Sequence, residues 1–111
     1  MQLGKEEAQR ISKMTLSEKL GQMFVTGFPA EEMDESFRAL VKGKKVGNVI
    51  LFKDNLKSAE QIVGLSRDIR ALIYGETGEY PLITVDEEGG VVSRLPESMG
   101  KMPSAMALSA L

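Results

Sequence analysis

An α/β fold built from parallel βαβ units is what this sequence predicts, and two observations carry the prediction. Short apolar runs at 22–28, 46–52 and 81–86 are too brief for helices and read as strands. Between them, apolar residues recur at helical spacing over segments of about 12 to 17 residues, and strands alternating with helices of that length argue for parallel pairing. At 111 residues the chain is one domain at most, spanning 1–111 and able to bury a single modest core.

Residues 5–14 are polar and helix-prone. Thr15-Leu16-Ser17-Glu18 has the form of a capping box, so a short helix is expected through Leu20. Gln22 to Phe28 makes the first strand, and Pro29 breaks it. Met33, Phe37, Leu40 and Val41 then form one stripe of a helix that Gly43 is placed to end. Val46 to Phe52 is the second strand, with Lys53-Asp54-Asn55 as its polar exit. Ser58-Ala59-Glu60-Gln61 is a second capping box, followed by the stripe Ile62, Leu65, Ile69, Leu72 and Ile73. Gly75 to Glu79 reads as a loop, and Pro81 to Asp86 as the third strand. Residues 96–102 look irregular, and Pro103 is placed to open a last helix through Met106 and Leu108. The second and third strands are nearly continuous in apolar residues, as when helices cover one face and a core fills the other.

Composition removes several classes of function. With 42% apolar and 27% charged residues the chain is ordinarily globular, and its net charge of −2 is scattered rather than gathered into a stripe. Neither nucleic acid nor an anionic membrane is expected as a partner. The absence of cysteine excludes disulfides and thiolate metal sites, and the absence of histidine removes the commonest general base and zinc ligand. The charged amino terminus has no apolar core of leader length, and no run approaches the roughly 20 residues of a membrane helix. A soluble cytoplasmic protein is expected, with secretion behind a removed leader as the alternative.

The chemistry concentrates where the third strand ends. Three consecutive acids, Asp86, Glu87 and Glu88, close it, and Gly89-Gly90 turns the chain toward Arg94. Acids at the end of a buried strand usually hold a ligand or a structural ion pair. By position alone Asp86 is a ligand group, a helix cap or a salt-bridge partner. Arg94, a fixed fork of donors, is a ligand group, a surface residue or a partner for Glu88. Glu88 reads as a brace of the turn, through backbone amides or Arg94. Alternation points Glu87 the other way, as a solvated or helix-facing acid. The glycine pair lacks the spacing of a dinucleotide loop and the lysine of a P-loop, so a tight turn needing positive φ explains it better. No second ligand cluster accompanies the acids, and neither a metal nor a cofactor is expected. Asn55 suits a turn or a ligand contact equally, and the seven methionines read as core filler.

These residues carry a resemblance. Asp86 to Arg94 resembles the "VDQEGG…V.R" signature of glycoside hydrolase family 3. Met14 to Phe24 is similar to that family's opening "MTLEEKIGQLF", and Val46 to Phe52 with Asn55 is similar to "GGVILFxxN". Ser58-Ala59-Glu60-Gln61 corresponds to the helix start that follows, and Met102 to Leu108 is similar to "LPSAMAL". Within the family the motifs look like the β-N-acetylglucosaminidase branch that includes bacterial cell-wall recycling enzymes; the Asp-Gly-Pro segment typical of the β-glucosidase branch is missing. Two positions depart from the signature: Val91 stands where arginine is usual, and Glu87 where glutamine is.

The resemblance implies a carbohydrate substrate, with Asp86 accepting hydrogen bonds from sugar hydroxyls at the subsite for the non-reducing end and Arg94 helping to hold the sugar. Glu88, Gly89 and Gly90 would support that site. Asp86 and Glu88 share a strand face about 6.6 Å apart, inside the roughly 6.5–9.5 Å carboxyl separation of inverting glycosidases. Both approach a sugar from one side, however, whereas that mechanism needs carboxyls flanking the bond.

Parallel βαβ order alone does not separate an open doubly wound sheet from a barrel. The resemblance decides for the first three strands or so of a (β/α)8 TIM barrel, a fold of about 250 residues when complete. The family's "KHFPGHG"-like segment, its general acid/base histidine and aspartate, and its nucleophilic aspartate would lie beyond Leu111. No catalytic residue is therefore expected within the chain, which alone should be inactive. The implied parent enzyme is a retaining hydrolase of terminal β-linked N-acetylglucosamine; the alternative is a non-catalytic sugar-binding or interaction module on a partial barrel. Two open sheet edges, and an inner face expected to carry Val49, Leu51, Ile83 and Val85, further predict a homo-oligomer paired through edge strands. The alternative there is a monomer closed by the segment from Pro96.

Overall fold

The structure, a computed structural model, describes residues 4–111. The reading of the amino terminus as charged and leaderless falls partly on residues 1–3, outside that range. Helix α1 (Lys5–Lys13) buries none of its residues, and an ion pair from Arg10 to Glu79 ties it to the body. Helix α2 (Leu16–Gln22) starts at the complete capping box read from sequence. Thr15 Oγ1 accepts the Glu18 N–H at 3.2 Å, and the Glu18 carboxylate accepts the Thr15 N–H at 2.7 Å.

Strand β1 (Val25–Thr26), helix α3 (Glu35–Lys44), strand β2 (Asn48–Leu51), helix α4 (Ala59–Thr77) and strand β3 (Ile83–Val85) follow as two βαβ units. The sheet runs β1-β2-β3 with both pairs parallel, Val49 facing Thr26 on one side and Ile83 on the other. Order without reversal, with right-handed crossovers, sends both helices to the same face. Three strands in this order with both helices on one face fit the wall of a barrel, and equally one half of a doubly wound sheet before its switch point.

The core lies between that face and the two helices. Phe37 and Val41 of α3, Leu65, Ile69 and Ile73 of α4, and Val49 and Leu51 of β2 are all buried there. This corrects the expected inner face, because Val49 and Leu51 point to the helices and not to the barrel interior. Their register partners Ile83 and Val85 share that side, Ile83 packing on the core and Val85 remaining partly exposed. The open face carries Val25, Ile50 and Thr84 instead.

Several boundaries differ from expectation for local reasons. The first strand shrinks to two residues. Helix α3 runs through Gly43 to Lys44 and ends at Lys45 in the left-handed region (φ 55°), a conformation costing a non-glycine residue about 1–2 kcal/mol. Helix α4 likewise runs through Gly75 and stops at Gly78 (φ 75°), so most of the expected loop is helical. A glycine inside a helix costs only about 1 kcal/mol, whereas the left-handed cap specifically favours one. The second capping box is half formed. Ser58 Oγ accepts the Gln61 N–H, but the Gln61 side chain accepts from Lys57 and donates to the carbonyls of Glu31 and Asn55. Within 96–102 a single turn of 3-10 helix forms at Glu97–Met99, and helix α5 (Ala105–Ser109) is capped by Ser104 rather than opened by Pro103.

Candidate functional site

Barrel enzymes keep their working groups where strands end, and two buried asparagines build that end and its opposite here. After β2 the chain takes one 3-10 turn at Lys53–Asn55. Asn55 is fully buried and accepts the Phe52 N–H at 2.7 Å while donating to Phe28 O at 2.8 Å and to Ala30 O. The choice left open for Asn55 thus resolves to a structural turn role, locking the exits of β1 and β2 together. At the other end of β2, Asn48 donates to Gln22 O at 2.8 Å and accepts the Leu82 N–H at 3.1 Å, tying the start of β2 to the segments that lead into β1 and β3. Composition and periodicity gave no sign of Asn48.

β3 delivers Asp86 to the carboxyl end of the sheet, where it is exposed. The chain then reverses through Gly89 (φ 72°) and Gly90 (φ 59°), an antiparallel bridge joining Gly89 to Val92 and the Glu88 N–H reaching Val92 O at 3.0 Å. Met102 returns to the turn, its carbonyl accepting the Gly90 N–H at 3.1 Å. A Cβ at Gly89 would stand 2.8 Å from Met102 O, so this close approach needs glycine as much as the φ does.

The carboxylate that braces the turn belongs to Glu87, not Glu88. One Glu87 oxygen, Oε2, accepts the N–H groups of Arg94 at 2.9 Å and Leu95 at 3.1 Å. Its Oε1 is buried with no partner among the described residues. The Arg94 and Leu95 N–H groups hold the Glu87 carboxyl below the usual glutamate range. Strand parity explains the reversal: Glu87 continues the side of Ile83 and Val85, whereas Asp86 and Glu88 lie exposed. Glu88 contributes its backbone N–H, and no ion pair joins it to Arg94 among the described residues.

Arg94 lines a cleft of about 240 Å³ between the exit of β2 and the segment after the turn, together with Lys53, Gly90, Ser93 and Lys101. Lys101 is paired to Glu97 at 2.8 Å. Asp86 is not among the residues that line this cleft. No grouping of acids suited to a metal occurs among the described residues.

One-sided helices on a parallel sheet, with polar groups at the carboxyl ends of the strands, are what the opening units of a (β/α)8 barrel present. The chain belongs to glycosyl hydrolase family 3: residues 15–111 match the model of that family's N-terminal domain. Over 89 residues it is 34% identical to a β-hexosaminidase of Stenotrophomonas maltophilia (strain R551-3), covering 80% of this chain and 25% of the relative. A β-hexosaminidase of Alkalilimnicola ehrlichii is 35% identical over 85 residues, 77% of this chain and 23% of the relative. Among solved structures, a family 3 β-N-acetylglucosaminidase from Paenibacillus sp. str. FPU-7 superposes with a TM-score of 0.79 at 36% identity, covering 87% of this chain and 18% of that one. NagZ from Neisseria gonorrhoeae, in complex with N-trifluoroacetyl-D-glucosamine, gives 0.60 at 30% identity, covering 71% and 22%. The chain thus spans about a quarter or less of these relatives. The family and barrel class read from the motifs are borne out.

Proposed function

We propose that the protein carrying this chain is a retaining β-N-acetylhexosaminidase, and that the chain supplies part of its sugar-holding wall. The observation that carries this reading is the turn from Asp86 to Arg94, which presents a carboxylate and a guanidinium at the strand ends of a chain similar to β-hexosaminidases. A carboxylate accepts charge-assisted bonds from neighbouring hydroxyls, and a guanidinium donates them. Neither group is a nucleophile or proton donor flanking a glycosidic bond, so the 111 residues alone hold no hydrolytic pair.

The test uses a chromogenic β-N-acetylglucosaminide. The 111-residue chain is expected to release no chromophore, and a polypeptide in which it continues into a closed barrel is expected to release it. Turnover by the short chain, surviving removal of contaminating full-length enzyme, sinks the reading. Two further parts of the proposal are cytoplasmic location and self-association of the chain alone. The second rests on the unpaired outer edges of β1 and β3 and on the exposed Phe24, Val25 and Leu82 beside them.

A further inference from the structure

We propose that Glu87 is a positioning residue, whose carboxylate sets where Arg94 stands in the cleft. The turn that carries Arg94 is long, reversing at Gly89-Gly90, and the bridge at Gly89 and Val92 fixes only its tip. Beyond Val92 the chain would be free to swing. Glu87 closes that gap: one oxygen takes two consecutive N–H groups, those of Arg94 and Leu95, across seven and eight residues. Two donors on one acceptor fix the direction of the backbone as well as its distance, and charge-assisted bonds are about twice as strong as neutral ones. The backbone so held is that of Arg94 itself, which lines the cleft with Lys53 and Lys101. Leu95, held by the same oxygen, packs against the core, so the clamp ties the cleft to the rigid body.

Glu87 is not among the residues lining the cleft, and it acts through Arg94. The consequence for sugar binding rests on the reading of Arg94 given above; the clamp itself does not. Glutamine offers the same carbonyl-type acceptor at the same length, so Glu87→Gln is expected to keep both hydrogen bonds. Glu87→Ala removes them.

Amide hydrogen exchange by NMR on the 111-residue chain tests the clamp directly. In Glu87→Ala the Arg94 and Leu95 amides are expected to exchange at least about tenfold faster, with Val49 in β2 unchanged and Glu87→Gln within about threefold of the parent. Should Glu87→Ala fail to fold, Glu87→Met keeps the bulk, removes the acceptor, and carries the same expectation. Unchanged exchange at Arg94 and Leu95 in the folded Ala or Met variant overturns the proposal. In a complete-barrel polypeptide, Glu87→Ala is expected to raise KM for the chromogenic β-N-acetylglucosaminide about tenfold, with Glu87→Gln restoring it. An unchanged KM in Glu87→Ala overturns the positioning role even if the amides are released. A parent polypeptide that hydrolyses nothing removes the sugar reading and leaves the exchange result to decide the clamp.

Discussion

Asn55 Nδ2 donates to the carbonyl oxygen of Phe28 at 2.8 Å, across 27 residues of sequence and in a position without solvent exposure. The bond lets two strand exits descend together, because the same side chain also satisfies Phe52 N–H and Ala30 O. Asn55→Ala leaves these groups unpartnered, and a buried unsatisfied group costs about 1–3 kcal/mol. A loss of about 3 kcal/mol in urea denaturation is expected, some of it recovered by water. Asn55→Asp replaces the donor with an acceptor facing two carbonyls and should be at least as damaging. An aspartate variant as stable as the parent would show that the amide is not the clamp.

Gly89 and Gly90 separate two effects that usually travel together. Both sit at positive φ, which costs an alanine about 1–2 kcal/mol. An added Cβ at Gly89 would also overlap the carbonyl of Pro103, with Met102 O at 2.8 Å, whereas at Gly90 it would meet the Ser104 side chain at 3.3 Å and backbone only at 4.0 Å. Gly89→Ala is expected to lose clearly more stability than Gly90→Ala in parallel urea titrations. Equal losses would mean that the return of Met102 imposes no constraint.

Acid should loosen the turn in a defined direction. The Glu87 carboxyl lies below its ordinary value of 4.5, chiefly through the Arg94 N–H and then the Leu95 N–H. A group whose folded value is depressed adds stability that is fully present above its unfolded value and is lost as pH falls through the folded one. Glu18 and Glu97 are depressed as well, by the Thr15 N–H and by Lys101 respectively. Because Glu87→Gln keeps the two acceptor contacts, the stability difference between parent and Glu87→Gln isolates what the charge adds to them, and it should shrink as pH falls below 4.5. A difference that stays flat through this window contradicts the assignment.

Asp86 has a different test, because its carboxylate makes no ion pair among the described residues. In a complete-barrel polypeptide, Asp86→Ala is expected to lower kcat/KM about a hundredfold or more, the worth of two charge-assisted bonds at about 1.5–3 kcal/mol each. The melting temperature should hardly move. Wild-type kinetics would take Asp86 out of the sugar site.

Self-association of the 111-residue chain is checked by light scattering coupled to size exclusion over a range of concentrations. Mass that rises with concentration is expected from the two open edges. A monomer throughout would mean that the edges are masked within the chain.

The elements that the sequence made legible are those with strong local periodicity. β2 and α4 lie where the apolar runs place them, and the Thr15 box forms in full. Alternation correctly grouped Val49 with Leu51, Ile83 and Val85, but a period of two says only which residues share a face. Which face meets the helices depends on where the crossovers pass, and that is a tertiary property. The glycines at 43 and 75 misled for a related reason, since a helix ends where the chain must turn, at Lys45 and Gly78, and not at the first residue able to allow it. Asn48, Asn55 and Glu87 were hardest to read. Apart from Phe52, three residues from Asn55, their partners lie 7 to 34 residues away, so no local pattern marks them as buried acceptors and donors.

Because β2 alone is paired on both sides and is sealed by α3 and α4, resistance to opening should be graded outward from it. Backbone amides around Val49, with Ile69 and Ile73 stacked behind, belong to the last unit to come apart. The segment from Asp86 to Arg94 hangs from an edge strand by a few hydrogen bonds, and opens at far lower free energy. Such a gradient lets the lip of the wall yield first while the staves behind it stay shut.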